Sequence, residues 1–442
     1  MDSSNIRANH MDIQWQEHLA SAGACPVLEA PFASRAALVG RVGLSLLACG
    51  TGAWRVRSAM NTIADVLGLR CSANIGLTSL DYSCFNHAES CTHSLALKNT
   101  GVNTSKLHRL EAFVGDFAQT AATHTLAEVH QMLDAIDHER GHYTPLLLGL
   151  AAAFACCAFT FLLGGGPVEM ICAFLGAGAG NYLRCKLLAR QFTLFLCVAV
   201  SVALACLVYS GILFLAETCF NISVAHEAGY VCAMLFIIPG FPFITSGIDM
   251  AKLDMRSGLE RLAYALMIIG VASLTAWLLA LLLHLQPENF PPFALSPLTQ
   301  SFLRLIASFV GVFGFSMMFN SSPRMAASAA SIGMVANTLR LELVDFTALP
   351  PAAAAFIGAL VAGLLASLVN RRLGYPRIAL TVPSIVIMVP GLYLYRGIYY
   401  FGVLALGDAA YWLTSAFLII AALPLGLITA RIISDPAFRH CN

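Results

Sequence analysis

Charged residues are scarce in this 442-residue chain, where Asp, Glu, Lys and Arg together make up 11% of the sequence. Hydrophobic residues make up 58%, well above the share found in soluble globular proteins. The composition therefore excludes a soluble protein and indicates a membrane protein. The formal net charge of +1 indicates no partner, because a sum near zero says nothing about how the charges are distributed.

Motifs of enzyme chemistry are missing as well. No G-x-S-x-G segment, the nucleophile turn of many hydrolases, occurs in the sequence. Between residues 143 and 434 the only histidines are His226 and His284, so metal chemistry at helix ends would have few ligands. The first 35 residues lack the apolar core of a secretory signal, and we expect none. We predict no enzyme activity, no cofactor and no nucleic-acid partner.

The 14 cysteines do not indicate a disulfide framework, because eight of them fall in or beside hydrophobic segments. Buried thiols of this kind mostly fill space between helices. Cys84, His87, Cys91 and His93 have the residue types of a zinc site, but four ligands within ten residues would be crowded. We interpret them as solvated loop residues and predict no metal.

Ten hydrophobic segments follow residue 143, and most have the roughly 20 residues that a helix needs to cross a bilayer. They lie at about 144–165, 167–183, 191–215, 228–248, 263–285, 303–319, 325–339, 351–369, 378–402 and 409–433. With a cytoplasmic N-terminus, the inside loops and tail carry twelve Lys and Arg, and the outside faces carry only Arg304, Arg340 and Arg396. This positive-inside bias predicts a polytopic membrane protein with both termini in the cytoplasm.

Residues 1–142 contain no spanning segment, and we predict that they form a cytoplasmic α+β domain with a disordered N-terminal tail. Its helices are expected at about 34–49, 52–67, 104–119 and 125–138, and its strands near 70–80 and 93–98. Asn103–Ser105 and Thr125 are the expected N-caps, the latter with Glu128 as capping-box partner. The rest divides into a five-helix half at 143–285, a proline-rich outer linker at 286–302, and a second five-helix half at 303–434.

A Pro-Gly pair occurs in the fourth hydrophobic segment of each half, at Pro239-Gly240 and at Pro390-Gly391. The matching position indicates an internal duplication, and an odd number of helices per half would invert the second copy. Inverted repeats with interrupted helices are typical of secondary transporters that bind substrate near the midplane. The alternative is a simple kink, which Pro and Gly often produce in membrane helices.

The order of parts resembles the bacterial threonine/serine exporter family in its fused form, over residues 34 to 434. The stretches that carry the resemblance are Gly50-x-Gly52-x-x-Arg55-Val56, Gly101-Val102-Asn103, Ile238-Pro239-Gly240, Gly258-Leu259-Glu260-Arg261 and Val389-Pro390-Gly391-Leu392-Tyr393. The resemblance implies proton-driven export of small amino acids across the bacterial inner membrane. Family members split into two polypeptides are linked to dicarboxylate export, which leaves succinate as an alternative substrate.

One turn departs from the family pattern. Members have an acidic turn of the form Glu-Ser-Gly-Ala-Glu before the second helix, whereas this chain has Ala48-Cys49-Gly50-Thr51-Gly52. No role of those two carboxylates can be carried over to this chain.

Two acidic residues are candidates for substrate binding or proton coupling. Asp249 ends the fourth segment, and a carboxylate near a membrane site is costly unless it faces water or a partner. Its alternative role is an interfacial ion pair with Lys252 or Arg256, which helical spacing allows. Glu169 lies early in the second segment beside Gly164–Gly166, where the alternative is an ordinary loop end.

Two further candidates are an amide and a cation. Asn181 follows a run of small residues at Gly176–Gly180, which favours close helix packing but also allows it to flank a pathway. Arg396 follows Pro390 by six residues and could hold a substrate carboxylate in two hydrogen bonds. The alternative is an interfacial side chain within a tyrosine-rich belt.

Three functional classes compete. An exporter of small polar metabolites agrees with the two Pro-Gly pairs, and the backbone at each break would add to the candidate site. A membrane-tethered enzyme or signalling protein would act through residues 1–142. A channel would need a polar ring along a continuous path, and no segment has a clear polar stripe. We favour the exporter, with a small-molecule substrate, the bilayer as its surroundings, and homo-oligomerisation left open.

Overall fold

The structure is a computed structural model, which describes residues 22–220, 224–287, 290 and 295–439. The expected disordered tail and part of the expected linker, including Pro291 and Pro292, lie outside the described residues. The chain forms two compact units. The first contains the N-terminal part up to Arg140 together with the segment Asp249–Glu260, and the second contains Gly141–Ile248 and the chain from Arg261 onward.

The first unit is α+β. Its elements are α1 (Phe32–Ala48), α2 (Ala53–Val66), β1 (Arg70–Ile75), β2 (Ser79–Phe85), β3 (Ser90–Ala96), α3 (Thr104–Gly115), α4 (Phe117–Thr123) and α5 (Leu126–Asp137). The strands form one antiparallel sheet in the order β1-β2-β3. Two strands were expected, near 70–80 and 93–98, and the structure adds β2, whose alternating burial is typical of a strand with one face on a core.

Two helix starts in this unit are the predicted ones. The Asn103 side chain accepts a hydrogen bond of 3.0 Å from the backbone N–H of Lys106 at the start of α3. Thr125 and Glu128 form a complete capping box at the start of α5. Both predictions are confirmed, because capping depends on residues close together in sequence.

The first helix is buried on nearly all sides, although it contains a charge. The Arg41 guanidinium is 3% exposed and pairs with Asp134 of α5, and one of its nitrogens lies 2.7 Å from His130 Nδ1. A buried arginine needs such partners, because an uncompensated buried charge is strongly destabilising. This ion pair fixes α1 against α5 inside the first unit.

The second unit consists of helices. They are α6 (Pro145–Leu162), α7 (Pro167–Ala189), α8 (Leu194–Phe220), α9 (Tyr230–Ala233), α10 (Gly240–Ala251), α11 (Met255–Leu283), α12 (Pro297–Met318), α13 (Pro323–Phe346), α14 (Pro351–Leu373), α15 (Arg377–Val386), α16 (Gly391–Gly402) and α17 (Leu406–Ser434). The ends of α10 and α11 that fall within Asp249–Glu260 belong to the first unit. Each of the ten predicted segments coincides with one helix or with a pair of short ones.

Among the described residues, six helices are long and apolar enough to cross a membrane, namely α6, α8, α11, α12, α14 and α17. Two bent pairs, one ending in α10 and one made of α15 and α16, raise the number to eight if each pair is one span. The helices α7 and α13 are long enough but contain several charged residues. The predicted class, a mainly α polytopic membrane protein with an α+β N-terminal domain, is confirmed.

Helix packing in the second unit relies on small residues. A Cβ added at Gly176 would lie 2.7 Å from the Ala205 carbonyl oxygen, and one at Gly180 would lie 2.8 Å from that of Ser201. The backbones of α7 and α8 therefore approach more closely than larger residues would allow, as predicted for this run. Large apolar side chains point outward instead, among them Leu207, Phe214, Leu278, Leu282 and Phe417. Such a surface requires lipid around it.

Candidate functional site

Both Pro-Gly pairs interrupt a helix. At the first, α9 and a following 3-10 turn (Leu235–Ile237) meet α10 at a bend of 54° around Pro239, and at the second, α15 meets α16 at 50° around Pro390. Proline has no backbone N–H and cannot continue the helical ladder, and a bend this large exceeds a gentle helical curve. Within the described residues, each predicted half therefore has an interrupted helix at its fourth position.

The two interruptions touch each other. A Cβ added at Gly240 would lie 2.3 Å from Val386 and 3.4 Å from Val389, and one added at Gly391 would lie 1.8 Å from Ile238. Each glycine thus packs against apolar residues that shortly precede the glycine of the other break. A reciprocal contact of this kind is what a two-fold arrangement produces. Pro239, Gly240, Pro390 and Gly391 therefore lie at one place in the second unit.

A hydroxyl pair joins the same two interrupted helices. The Tyr230 and Tyr395 hydroxyl oxygens are 2.6 Å apart, and their rings pack edge to face with centroids 5.7 Å apart. Both side chains are fully buried. A buried hydroxyl needs a hydrogen-bond partner, and here each supplies it to the other. The pair links α9 to α16 close to the contact between the breaks.

A cavity of about 100 Å³ opens beside the second break. Its wall includes the residues from Ile387 to Tyr393, and this stretch contains the N-terminal end of α16. Most of the other lining side chains are apolar, among them Phe159, Leu163 and Val344. The charged exception is Arg340 of α13. An apolar pocket with a few convergent polar groups is typical of a small-molecule site.

Arg340 has no counter-ion within the described residues, where no ion pair or hydrogen bond of its guanidinium occurs. Its Nε is buried and unpaired, although part of the residue remains accessible, as expected of a side chain that lines a cavity. From the sequence, Arg340 was counted only as an outer-face charge, because it directly follows the predicted segment 325–339. The structure continues this helix to Phe346 and so places Arg340 within it.

Two asparagines occupy matching places in the two halves. Asn181 is 14 residues after Pro167, the first residue of α7, and Asn337 is 14 residues after Pro323, the first residue of α13. Asn181 Nδ2 donates to the Leu148 carbonyl at 2.8 Å, and Asn337 Nδ2 donates to the Ser308 hydroxyl at 2.9 Å.

Both amide oxygens are buried, and neither has a hydrogen-bond partner within the described residues. A buried acceptor without a hydrogen bond costs free energy. An unpaired amide oxygen at the same place in each half is therefore an unusual feature that the two halves share. The sequence analysis identified only the first of the two asparagines.

Arg396 is held by neighbours in the second unit. Its Nε donates to the Pro287 carbonyl at 2.9 Å, and its guanidinium carbon lies 4.7 Å from the centroid of the Trp412 ring. The residue is 5% exposed. A carbonyl and an aromatic face both compensate a buried cation. These contacts favour an anchoring role for Arg396 over the carboxylate-binding role that was also considered.

Glu169 forms a buried pair with a histidine. It is fully buried, its Oε1 lies 2.7 Å from His226 Nδ1, and its Oε2 accepts a hydrogen bond of 2.9 Å from Gly166 N–H. The His226 carbonyl in turn accepts a hydrogen bond from Tyr209 at 2.7 Å. A buried carboxylate next to imidazole can exchange a proton with its partner. The two residues are 57 positions apart, and no sequence pattern connects them.

Asp249 lies in the first unit. Its Oδ1 accepts a hydrogen bond of 3.0 Å from Ala53 N–H at the start of α2, and its Oδ2 accepts one of 2.9 Å from the Ser257 hydroxyl. A Cβ added at Gly52 would lie 2.6 Å from Oδ1, so this glycine makes room for the carboxylate. A carboxylate at the N-terminus of a helix is stabilising. These contacts describe a helix cap.

The segment around Asp249 makes further contacts with the first unit. Asp254 pairs with Arg57 of α2, and Glu260 accepts a hydrogen bond of 2.6 Å from Leu77 N–H. Arg256, one of the two partners considered for Asp249 together with Lys252, forms ion pairs with Asp81 of β2 and with Glu260, each at 3.1 Å. Segment Asp249–Glu260 is therefore part of the fold of the first unit.

The cysteines and histidines between residues 84 and 93 are not all loop residues. Cys84 lies in β2 and is buried, and Cys91 and His93 lie in β3, which corrects the interpretation of these residues as a solvated loop. Cys84 pairs across the sheet with Cys71 on one side and Cys91 on the other. The described residues contain no group of three or more His, Cys, Asp or Glu that could hold a metal ion.

Comparison with known proteins assigns the chain to a family. A family profile described as "Putative threonine/serine exporter" matches residues 37–283, and a second, described as "Threonine/Serine exporter, ThrE", matches residues 304–433. The chain belongs to the threonine/serine exporter family. The resemblance identified from the sequence is thereby confirmed, and this family member is a multi-pass membrane exporter.

One curated relative of this exporter carries a different substrate in its name. The chain is 27% identical over 237 residues to the "Probable succinate transporter subunit YjjP" of Escherichia coli (strain K12). The alignment spans 50% of this exporter and 88% of the relative. No solved structure matches the chain.

Proposed function

We propose that this protein exports small polar metabolites, with threonine and serine as the favoured substrates, across the bacterial inner membrane. Both termini lie in the cytoplasm in this proposal, as the distribution of Lys and Arg favours. The observation that carries the proposal is the contact between two interrupted helices at matching positions. Interrupted helices expose backbone groups that can bind a polar substrate inside a membrane.

The two five-helix halves form an inverted repeat in this proposal. Three observations support the duplication: the Pro-Gly pair in each fourth position, the asparagine 14 residues into each second helix, and the last helix of 29 residues in each half. The reciprocal packing of Gly240 and Gly391 supports a two-fold relation between the halves. Transport would then proceed by movement of one half relative to the other around the breaks.

Export is driven by protons in this proposal, and the pair of Glu169 and His226 is the coupling group. Cys172 on the same helix α7, Tyr209 of α8 and Cys232 of α9 are ionisable groups near Glu169. Within the described residues no Lys or Arg forms an ion pair with Glu169, and its ion-pair partner is the His226 imidazole. Protonation of the pair would change the charge of a buried site, which is what coupling requires.

Dicarboxylate export is the second candidate. The observation that favours it is the similarity to a relative named as a succinate transporter subunit. A role of the first unit in enzyme chemistry or signalling is a weaker alternative, since among the described residues no cluster of metal-binding side chains supports one.

The test is uptake of labelled threonine, serine and succinate into inverted membrane vesicles, with and without an imposed pH gradient. Gradient-dependent accumulation of threonine or serine would support the favoured substrate, and accumulation of succinate alone would support the second candidate. Vesicles with Glu169→Gln should still bind substrate but lose the response to the gradient, because the amide cannot carry a proton. Unchanged gradient dependence in that variant would remove Glu169 from coupling, and no accumulation of any of the three would contradict the proposed substrates.

A further inference from the structure

We infer that the cavity beside the second break is a carboxylate-binding subsite, in which Arg340 and the N-terminal end of α16 hold the carboxylate of the transported molecule. The identity of the ligand as a transported metabolite rests on the proposed function, whereas the anion site itself rests on the geometry of the second unit.

The first observation is the uncompensated charge of Arg340. The two acidic residues further along α13 are already engaged, since Glu342 lies 3.0 Å from Arg304 and Asp345 also pairs with Arg304. Within the described residues, no carboxylate pairs with Arg340. A cation enclosed in a membrane protein is costly without a counter-ion. The missing partner is therefore an anion that enters from outside the chain.

The second observation is the helix end that shares the cavity. Gly391, Leu392 and Tyr393 begin the 12-residue helix α16 and line the cavity wall. The Gly391 N–H donates to the Val389 carbonyl and the Leu394 N–H to that of Pro390, but within the described residues the amides of Leu392 and Tyr393 have no acceptor. Free N–H groups at a helix N-terminus attract anions, which the partial positive charge there stabilises.

The chemistry of the cavity defines the ligand class. A guanidinium presents parallel N–H donors that match the two oxygens of a carboxylate, and backbone N–H groups add further donors. A cavity of about 100 Å³ with apolar side walls admits a small body and excludes a large one. Amino acids such as threonine and dicarboxylates such as succinate both carry the carboxylate, so the subsite serves either substrate of the proposed function.

The test uses the purified full-length protein and two readouts. The first is thermal stability in detergent, with acetate compared with acetamide and with chloride at constant ionic strength. Acetate should stabilise the wild-type protein more than acetamide or chloride does, because only acetate offers two charged oxygens. Arg340→Gln should lose this difference, whereas Arg324→Gln, an exposed arginine at the start of the same helix, should keep it.

The second readout is transport of threonine and succinate. Arg340→Gln should raise KM for the transported substrate on the order of 100-fold, because a buried charged partner is lost. Arg340→Lys should raise it less, since the charge remains but the paired donors do not. Threonine amide and succinamide should compete poorly with the corresponding acids.

The outcomes separate the two proposals. If wild-type protein transports a substrate but Arg340→Gln has an unchanged KM, the subsite is wrong and the exporter stands. If no substrate is transported but acetate stabilises only proteins that retain Arg340, the anion site stands and the proposed substrates fail. If acetate stabilises the wild-type protein no more than acetamide does, the inference is overturned. This comparison needs only the wild-type protein, so it holds even where the variants fail to fold.

Discussion

Packing at the contact between the two breaks gives the most quantitative prediction. Gly391→Ala places a Cβ 1.8 Å from Ile238 Cδ1 and 3.1 Å from Leu235 Cδ2, whereas carbon atoms pack at roughly 3.5–4.0 Å. Ile238 would have to retreat by about 2 Å, and the adjoining cavity offers about 20 Å³. Because that space relieves only part of the overlap, we expect a loss of about 1–2 kcal/mol, within the range of overpacked cores.

A second substitution tests the cause of this loss. Ile238→Val removes Cδ1, the atom that meets the new methyl group, and by itself should cost about 0.5–1.5 kcal/mol. In the double variant the two losses should not add, because the closest overlap is removed and only contacts of 3.1 Å to Ile238 Cγ1 and Leu235 Cδ2 remain. The coupling free energy should be about 1 kcal/mol in favour of the pair. Gly270→Ala is the matched control, since a Cβ there would meet nothing within 4 Å.

The assay is thermal unfolding of the full-length protein in detergent at one fixed scan rate, which is needed because such unfolding is often irreversible. Gly391→Ala should unfold at a temperature lower by a few degrees, Gly270→Ala should match the wild type or exceed it slightly, and the double variant should recover much of the loss. Equal unfolding temperatures of the two alanine variants, or additive losses in the double variant, would refute the packing of the breaks against each other.

Two further predictions concern the first unit. Asp249→Ala should destabilise the protein by about 1–3 kcal/mol in thermal unfolding, because the Ala53 N–H loses its acceptor. Asp249→Asn should cost less, because the amide oxygen can replace the lost acceptor. Loss of proton-coupled transport in Asp249→Asn at unchanged stability would contradict a purely structural role and support the coupling role considered for Asp249. Cys71, Cys84 and Cys91 are neighbours across the three strands of the sheet. A hydrogen bond from Cys84 lowers the pKa of Cys71, and burial raises the pKa of Cys91. Iodoacetamide should therefore modify Cys71 at lower pH than Cys91, because the thiolate is the reactive form. Mass spectrometry after labelling across a pH series measures the extent of modification at each cysteine. Modification of Cys91 at lower pH than Cys71 would contradict the hydrogen bond between Cys71 and Cys84.

The part of this protein that follows from short stretches of sequence was predictable. Helix caps at Asn103 and Thr125 depend on residues three positions away, and the breaks at Pro239 and Pro390 follow from the missing N–H of proline. Strand β2 was missed because its Cys and Ser residues have a weak preference for strands. Hydrogen bonds to β1 and β3 on either side stabilise it in the folded protein.

The candidate site was predicted only in part. The Pro-Gly pairs were identified because they repeat at matching positions, but nothing in the sequence showed that Gly240 and Gly391 pack against each other's breaks. Asp249 and Arg396 were selected as charged residues in hydrophobic surroundings, and this criterion cannot separate a buried charge with a partner from one without. Arg340 satisfied the same criterion and was passed over, since its lack of a counter-ion depends on Arg304 engaging its acidic neighbours.

The sequence by itself determined the class of this protein, because hydrophobic length, the distribution of Lys and Arg and the order of motifs are properties of the linear chain. It also determined where the helices are interrupted. Only the tertiary structure decided which polar groups lie together: Glu169 with His226 across 57 positions, Asp249 with Ala53 across 196, and Arg340 on the wall of the cavity that the start of α16 also lines. Local sequence sets the conformation of a segment, whereas the partner of a buried charge is set by how distant segments pack.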